Sequence, residues 1–579
     1  MSSAQPLRDE KDRRLDSWKA IAHYLDRDVR SVQRWERERG LPVHRVPGQK
    51  GGAVFAYENE LDQWLRSGQP EAERTSIEGI QPAAASSSPS RRMLIYLSAA
   101  VLALAALIAM KLSVRSKPAS AGANSIAVLP LQNLSGDASQ EYFADGFSEE
   151  LVTDLAQVHS LLVISRTSTI PYKGSHKPLP QIARELGVKY VLEGSVAREG
   201  ERVRVTAQLI NASTDTHLWA KTYEGDVKDV LDIQNQIARE IVGDIQLDLS
   251  PQDQDRLATT PVVDPIAHDL YLKASYQYAQ QAPESIRQSL ALYKQAAEKD
   301  PSFAMAYVGI AQAENALLQV TAQSPGISLG NAEQALEKAL EINPHLGEAR
   351  GMLASLAYYR DWDWPRAERE FRIALSEGAG APTEQRFGTS LVTRGRFEEG
   401  MAHIQTALEL DPLGKSPRVN QFFALYFQRR YPEARRKLEE TLASSPDWFA
   451  GHGLLSLVAA TQRDCEETER QAQWMNQKFP SPLSYFLLSL ASSCRGDQAK
   501  AKTLLEQAAS YKGPAFISPY QLALGYAYAG DKETALSYLE KSAEIREPQI
   551  PYLKVDPLFD QMRSDPRYVA MEQRIGLLP

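Results

Sequence analysis

The 579-residue sequence predicts a multi-domain protein: an N-terminal winged helix-turn-helix, one transmembrane helix, an α+β domain and an all-α solenoid of repeats. Three observations predict it. Two short amphipathic segments joined by a tight turn lie within residues 14–66. An uncharged apolar run, Met93–Met110, divides the chain. Far downstream Pro412, Pro446, Pro480, Pro514 and Pro548 recur every 34 residues.

In residues 14–66, Asp16 or Ser17 can cap a helix that places Trp18, Ile21, Ala22 and Leu25 on one face. Asp26-Arg27-Asp28 is a turn. A second helix follows from about Val29 to Arg39, with Val32 and Trp35 inward and Gly40 as its C-cap. Val43–Val46 and Val54–Tyr57 read as two strands around the loop Pro47–Gly52, forming a wing. A last helix, Glu58–Leu65, closes the unit with Leu61, Trp64 and Leu65.

Charge follows the same plan. From Arg27 to Lys50 there are seven basic residues and three acidic ones. Arg27, Arg30, Ser31, Gln33, Arg34 and Arg37 fall in the turn or off the apolar face of the second helix. From there Arg and Gln side chains can reach base edges in a major groove, and the other cations can hold phosphates. His44, Arg45, Gln49 and Lys50 lie on the wing, where they would meet the backbone or the minor groove. The competing reading is a solvated basic face on a small protein-binding domain.

The run SWKAIAHYLDRDVRSVQRWERERGLPVHR, with GGAVFAYENELDQWL after it, resembles the excisionase/MerR-type winged helix-turn-helix over about 50 residues. The resemblance implies that Val29–Arg39 is a recognition helix and that DNA is the partner. The long dimerising coiled coil of that family is absent, so any homodimer must form elsewhere.

Residues 67–92, rich in Ser, Ala and Pro, read as a flexible linker. Met93–Met110 would make a helix of roughly 27 Å, close to the thickness of a bilayer's hydrocarbon core. With Lys111 snorkelling, the span is assigned to residues 93–112. It has no polar stripe and lies too far from the N-terminus for a signal peptide. Arg91 and Arg92 precede it and Lys111, Arg115 and Lys117 follow, so flanking charge does not set the orientation. A cytoplasmic N-terminus follows from the DNA-binding reading alone. Ala99/Ala103 and Ala105/Ala109 are small-residue pairs through which two spans could pack into a dimer.

Residues 125–250 alternate strand and helix patterns. Ser125–Pro130 and Leu161–Ser165 read as strands, and Phe147–His159 and Leu179–Leu186 as helices. A meander of Tyr190–Arg198, Arg202–Asn211 and His217–Tyr223 turns at Glu199-Gly200-Glu201, and a helix from Val227 to Leu249 closes the domain. Asn133, Asp137, Glu141 and Asp145 are polar, but turn and cap chemistry accounts for them, with Asp145-Gly146 opening a helix. His159, His176 and His217 are scattered and read as structural. The segments IAVLPLQNLSGD, EYFADGFSEEL, VISRTST, ARELGVKYVLEGSV and THLWAKTYEGD resemble the TolB-like N-terminal domain of bacterial multi-domain proteins. That resemblance implies a fold and no activity; some relatives carry a kinase or cyclase domain that this sequence does not show.

In residues 265–548 the 34-residue period is the tetratricopeptide signature, here about eight helical hairpins. Gly378 holds the place between Pro344 and Pro412. Residues 549–579 read as a C-terminal cap. Stacked hairpins usually bind a protein or peptide on their concave face. Tyr358, Tyr359, Trp362, Trp364, Phe422, Phe423, Tyr426 and Trp448 could line such a groove, but inter-helix core is the simpler assignment.

Residues 1–92 carry 16 Lys/Arg against 14 Asp/Glu, and residues 111–579 carry 49 against 59. The large acidic region is therefore a poor nucleic-acid binder. Cys465 and Cys494 form no metal or redox motif; they either pair or stay as two buried thiols. No nucleotide-binding, hydrolase or metalloprotease motif occurs, so no enzyme, cofactor or metal is expected. The expectation is a membrane-anchored transcriptional regulator of the bacterial inner membrane, with the TolB-like and repeat regions extracytoplasmic. The alternative is an envelope scaffold whose N-terminal domain binds protein.

Overall fold

The structure, a computed structural model, describes residues 14–25, 27–45, 54–67, 124–247, 249–258, 262–320, 325–513 and 517–578. It divides into two units, Met1–Ala109 and Met110–Pro579. The apolar segment 93–112, the linker 68–92 and the wing residues Gln49 and Lys50 lie outside the described residues. Among the described residues no helix is long and apolar enough to cross a membrane.

In the first unit, α1 (Trp18–Tyr24) begins where the Ser17 side chain accepts from the Ala20 amide at 3.1 Å. Helix α2 (Val29–Arg39) begins at Asp28, which accepts both the Ser31 amide and the Ser31 hydroxyl. It stops at Gly40, whose left-handed φ of 62° a side chain would strain. Strands β2 (His44–Arg45) and β3 (Val54–Tyr57) pair antiparallel, and α3 (Glu58–Ser67) follows. A strand absent from the sequence reading, β1 (Arg14–Leu15), pairs with the other edge of β3. Two residues carry too little pattern to announce a strand. Ile21, Ala22, Val32, Leu41, Val54, Ala56 and Leu61 form the core, and Trp35 packs 5.7 Å from Trp64.

The second unit opens with a mixed sheet ordered β6-β4-β7-β8-β9, with β5 also on β7. Strands β4 (Ser125–Val128), β5 (Gln132–Asn133), β6 (Leu162–Val163) and β7 (Tyr190–Glu199) are joined by parallel pairings. Strands β7, β8 (Arg202–Asn211) and β9 (Thr216–Asp226) form the expected antiparallel meander. Helices α4 (Glu141–Ala156), α5 (Arg166–Thr169), α6 (Leu179–Leu186), α7 (Val230–Asp244) and α8 (Pro251–Ala258) complete this domain.

Helix α4 starts six residues before the expected Phe147. Gly146 is therefore inside it and does not open it. The helix continues a 3-10 turn, Ala138–Gln140, that Asp137 caps by accepting from the Ser139 amide, and Gly146 has a tertiary role instead: a Cβ there would sit 2.7 Å from Leu272 Cδ2, on the first helix of the repeats. The glycine lets two helices approach closely. The neighbouring polar residues satisfy one another: Asn133 donates to the Asp137 carbonyl, and Lys173 pairs with Glu141 and Asp145.

Sixteen helices then form eight hairpins among the described residues. The first four hairpins are α9 (Pro265–Ala279) with α10 (Pro283–Lys299), α11 (Ala304–Val320) with α12 (Pro325–Ile342), α13 (Gly347–Leu356) with α14 (Trp364–Ser376), and α15 (Ala381–Thr393) with α16 (Phe397–Leu410). The last four are α17 (Lys415–Phe427) with α18 (Tyr431–Ser444), α19 (Phe449–Thr461) with α20 (Cys465–Lys478), α21 (Pro482–Cys494) with α22 (Gln498–Ala509), and α23 (Pro519–Tyr528) with α24 (Lys532–Glu544). The large C-terminal region is thus an all-helical repeat array. Cys465 and Cys494 are bridged, with Cα atoms 5.5 Å apart, tying the start of α20 to the end of α21.

Residues 550–577 do more than cap the last hairpin. They run back as tight helical turns and a final helix, α25 (Pro566–Arg574), across helices far earlier in the chain. Tyr552 packs against Phe423, Phe427 and Tyr520, and Phe559 against Tyr520. Arg429 donates to the Val555 carbonyl and to both Asp560 oxygens; Trp364 Nε1 donates to the Ile575 carbonyl at 3.1 Å. Tyr358, Trp364, Phe422, Tyr426 and Trp448 are buried in this core, and Tyr359, Trp362 and Phe423 are half-buried against it. The aromatics that could have lined an open groove are packed by the chain itself.

Candidate nucleic-acid interface

Arg30, Arg34 and Arg37 follow one another at i, i+4 and i+7 on α2, so they form one stripe opposite Val32. All three are exposed, as is Arg27 in the preceding turn. Arg37 Nε donates to the Gln33 carbonyl at 3.3 Å, which holds its guanidinium along the helix. Gln33 and Ser31 are half-buried. Ser31 spends its hydroxyl on the N-cap Asp28, and those two hydrogen bonds hold the Asp28 carboxyl below its ordinary pKa.

The two described wing residues are engaged within the unit. Arg45 pairs with Glu36 of α2 at 2.8 Å, and His44 Nε2 lies 2.6 Å from Glu60 of α3. His44 also stacks on Phe55, which the Arg14 guanidinium covers at 3.9 Å. The structure therefore brings the α2 cations together and ties His44 and Arg45 to carboxylates. Glu36 and Glu60 were missed because a sequence gives no register between a helix and a strand 9 to 16 residues away. Among the described residues no group of three or more His, Cys, Asp or Glu is placed to hold a metal.

Residues 122–240 match the family described as HilA/YgeH-like transcriptional regulator, second domain. The match covers the sheet domain, where the sequence had suggested a TolB-like one. A Rhizobium meliloti (strain 1021) protein named "Putative adenylate cyclase 3" is 38% identical over 217 residues, 38% of this chain and 37% of that protein. The chain thus spans little more than a third of that curated relative. Solved structures with similar helices include a tetratricopeptide repeat protein from Parabacteroides merdae ATCC 43184 at 11% identity, covering 47% of this chain and 100% of its own, with a TM-score of 0.34. Yeast Tom70, at 14% identity, covers 60% of this chain and 82% of its own, also with a TM-score of 0.34. The repeat assignment rests on the 34-residue period and the eight hairpins.

Proposed function

We propose that this chain is a membrane-anchored DNA-binding transcriptional regulator of the bacterial inner membrane. The N-terminal unit acts as a winged helix-turn-helix and α2 as its recognition helix. The observation that carries the reading is the exposed Arg30/Arg34/Arg37 stripe on a capped helix, and the regulator family matched by residues 122–240 supports it. Arg30 and Arg34 would reach bases or phosphates, Arg27 and Arg37 phosphates, and Lys50 and Gln49 the adjacent groove. Arg45 and His44 would contribute only on leaving Glu36 and Glu60. A protein or peptide partner would dock on the repeats, on the surface that residues 550–577 leave uncovered. No catalytic role is assigned; the cyclase name belongs to a relative of which this chain covers 37%.

Full-length protein carrying Arg30→Ala/Arg34→Ala is expected to bind its DNA about 100-fold or more weakly. The slope of log affinity against log salt should flatten by about 2. Binding of genomic fragments in the host, compared between wild type and variant, supplies the target. If the variant retained the wild-type fragments and salt slope, the interface would be misplaced and the envelope scaffold would become the better reading.

Residues 93–112 supply the anchor, and the sheet domain and the repeats lie outside the membrane. The Cys465–Cys494 bridge supports that side, because disulfides persist in oxidising compartments. Thiol alkylation in intact cells, followed by mass measurement, should find both cysteines blocked until reductant is added. Two free thiols in freshly quenched cells would put the repeats in the cytoplasm.

A further inference from the structure

The sheet domain and the repeats meet across two histidines. His159, just after α4, has Nδ1 2.7 Å from Asp253 Oδ1 on α8 and Nε2 2.9 Å from the Ser376 carbonyl at the end of α14. Both partners are acceptors. A neutral imidazole has one N–H and can serve one of them; only the imidazolium serves both. His268, on α9, is buried, with Nε2 2.8 and 3.0 Å from the two oxygens of Glu150 on α4. Gln234 of α7 also donates to Glu150.

We propose that His159 and His268 form a proton-operated clamp that holds the sheet domain against the first three hairpins and loosens as pH rises. The reading does not depend on DNA binding.

Of the groups facing the clamp, those that are raised, His268 and Asp154, act in the same direction, and the lowered Asp253 supplies a constant charge. Burial pushes the His268 imidazolium down, but the charge and hydrogen bond of Glu150 and the charge of Asp269 outweigh it, so its pKa is raised despite Arg198 nearby. Asp154 faces the same cluster from α4; burial and Glu150 push its carboxyl up to about 7, against the pull of His268. Asp253 is pushed up by burial but held below its ordinary value by hydrogen bonds from His159 and Ser250, so it stays ionised throughout. Groups raised in the docked state keep protons that the separated state would release. The His268 contribution is full below the ordinary histidine pKa of about 6.5 and is lost as pH passes its raised value, whereas the Asp154 contribution declines from the ordinary carboxylate range up to about 7, so docking weakens as pH rises.

Other contacts across the same junction would remain. The Ser165 amide donates to the Leu410 carbonyl, and Tyr142 and Arg198 donate to Asp269. The clamp therefore loosens the junction around His159 and His268 without parting the two domains, because Asp269 beside His268 stays held and α16 stays bonded to Ser165.

Hydrogen exchange on the full-length protein in detergent micelles, corrected for intrinsic rates, tests this. Opening of residues 150–162 and 264–272 should be about ten-fold or more greater near pH 8 than near pH 5.5. Residues 455–460, inside the repeats, should not change. In His159→Gln/His268→Gln the difference should disappear. Glu150→Gln, which keeps an acceptor but not the charge, should shrink it and serves if the double variant does not fold. Equal opening at both pH values in the wild type, or a full pH response in the variants, would overturn the proposal.

Discussion

Phe559→Ala is expected to cost about 3–5 kcal/mol, as much as the loss of an aromatic from the middle of a domain. Its position argues otherwise at first sight: it lies 20 residues from the C-terminus, in a region that reads as a terminal cap. But Phe559 is fully buried, against Tyr520 at 5.5 Å and Tyr568 at 6.0 Å. Beside it the Tyr520 hydroxyl donates to Asp556, whose carboxyl burial pushes up to about 6. Emptying that volume leaves the surrounding aromatics without contacts and wets a buried acid. Because residues 550–577 also touch α14, α15 and α17, the loss should reach well back along the chain. Urea unfolding would show a lower midpoint for the whole array. A change below about 1 kcal/mol, typical of a frayed terminus, would mean the segment is not docked in solution.

Gly194→Ala is expected to cost at least about 3 kcal/mol, the upper end for overpacking, and to reduce the soluble yield sharply. Gly194 lies in β7, the strand that pairs with β4, β5 and β8. A Cβ there would sit 1.9 Å from the Thr206 carbonyl oxygen on β8, and backbone in the middle of a sheet cannot move aside as a side chain can. Gly146→Ala provides the contrast. Its Cβ would meet only the Leu272 side chain, Cδ2 at 2.7 Å and Cβ and Cγ at 3.2 Å, with no backbone atom in the way, so α4 and α9 can adjust at smaller cost. Thermal unfolding of the two variants side by side would measure the difference. Equal shifts would show that the strand has room that the structure does not provide.

The candidate interface was only partly legible. The Arg30/Arg34/Arg37 stripe follows from helical period alone, once Asp28 and Gly40 mark the ends of α2. That Arg45 and His44 are held by Glu36 and Glu60 does not, because each pair joins different elements. The histidines of the domain junction show the same limit more strongly. His159 reads as a lone polar residue after a helix, and its partners come 94 and 217 residues later. No local signal announces such contacts.

The sequence by itself determined the helices, the meander and the repeat array, because capping, alternation and the 34-residue period are local properties that each segment carries. It also marked the cationic face of α2. Tertiary structure alone decided which edges of the sheet pair in parallel, how the sheet domain docks on the repeats, and that residues 550–577 lie across helices of earlier hairpins. Those outcomes depend on burying apolar faces and pairing charges between segments hundreds of residues apart. Periodicity shows that such a face exists, and only packing shows what covers it.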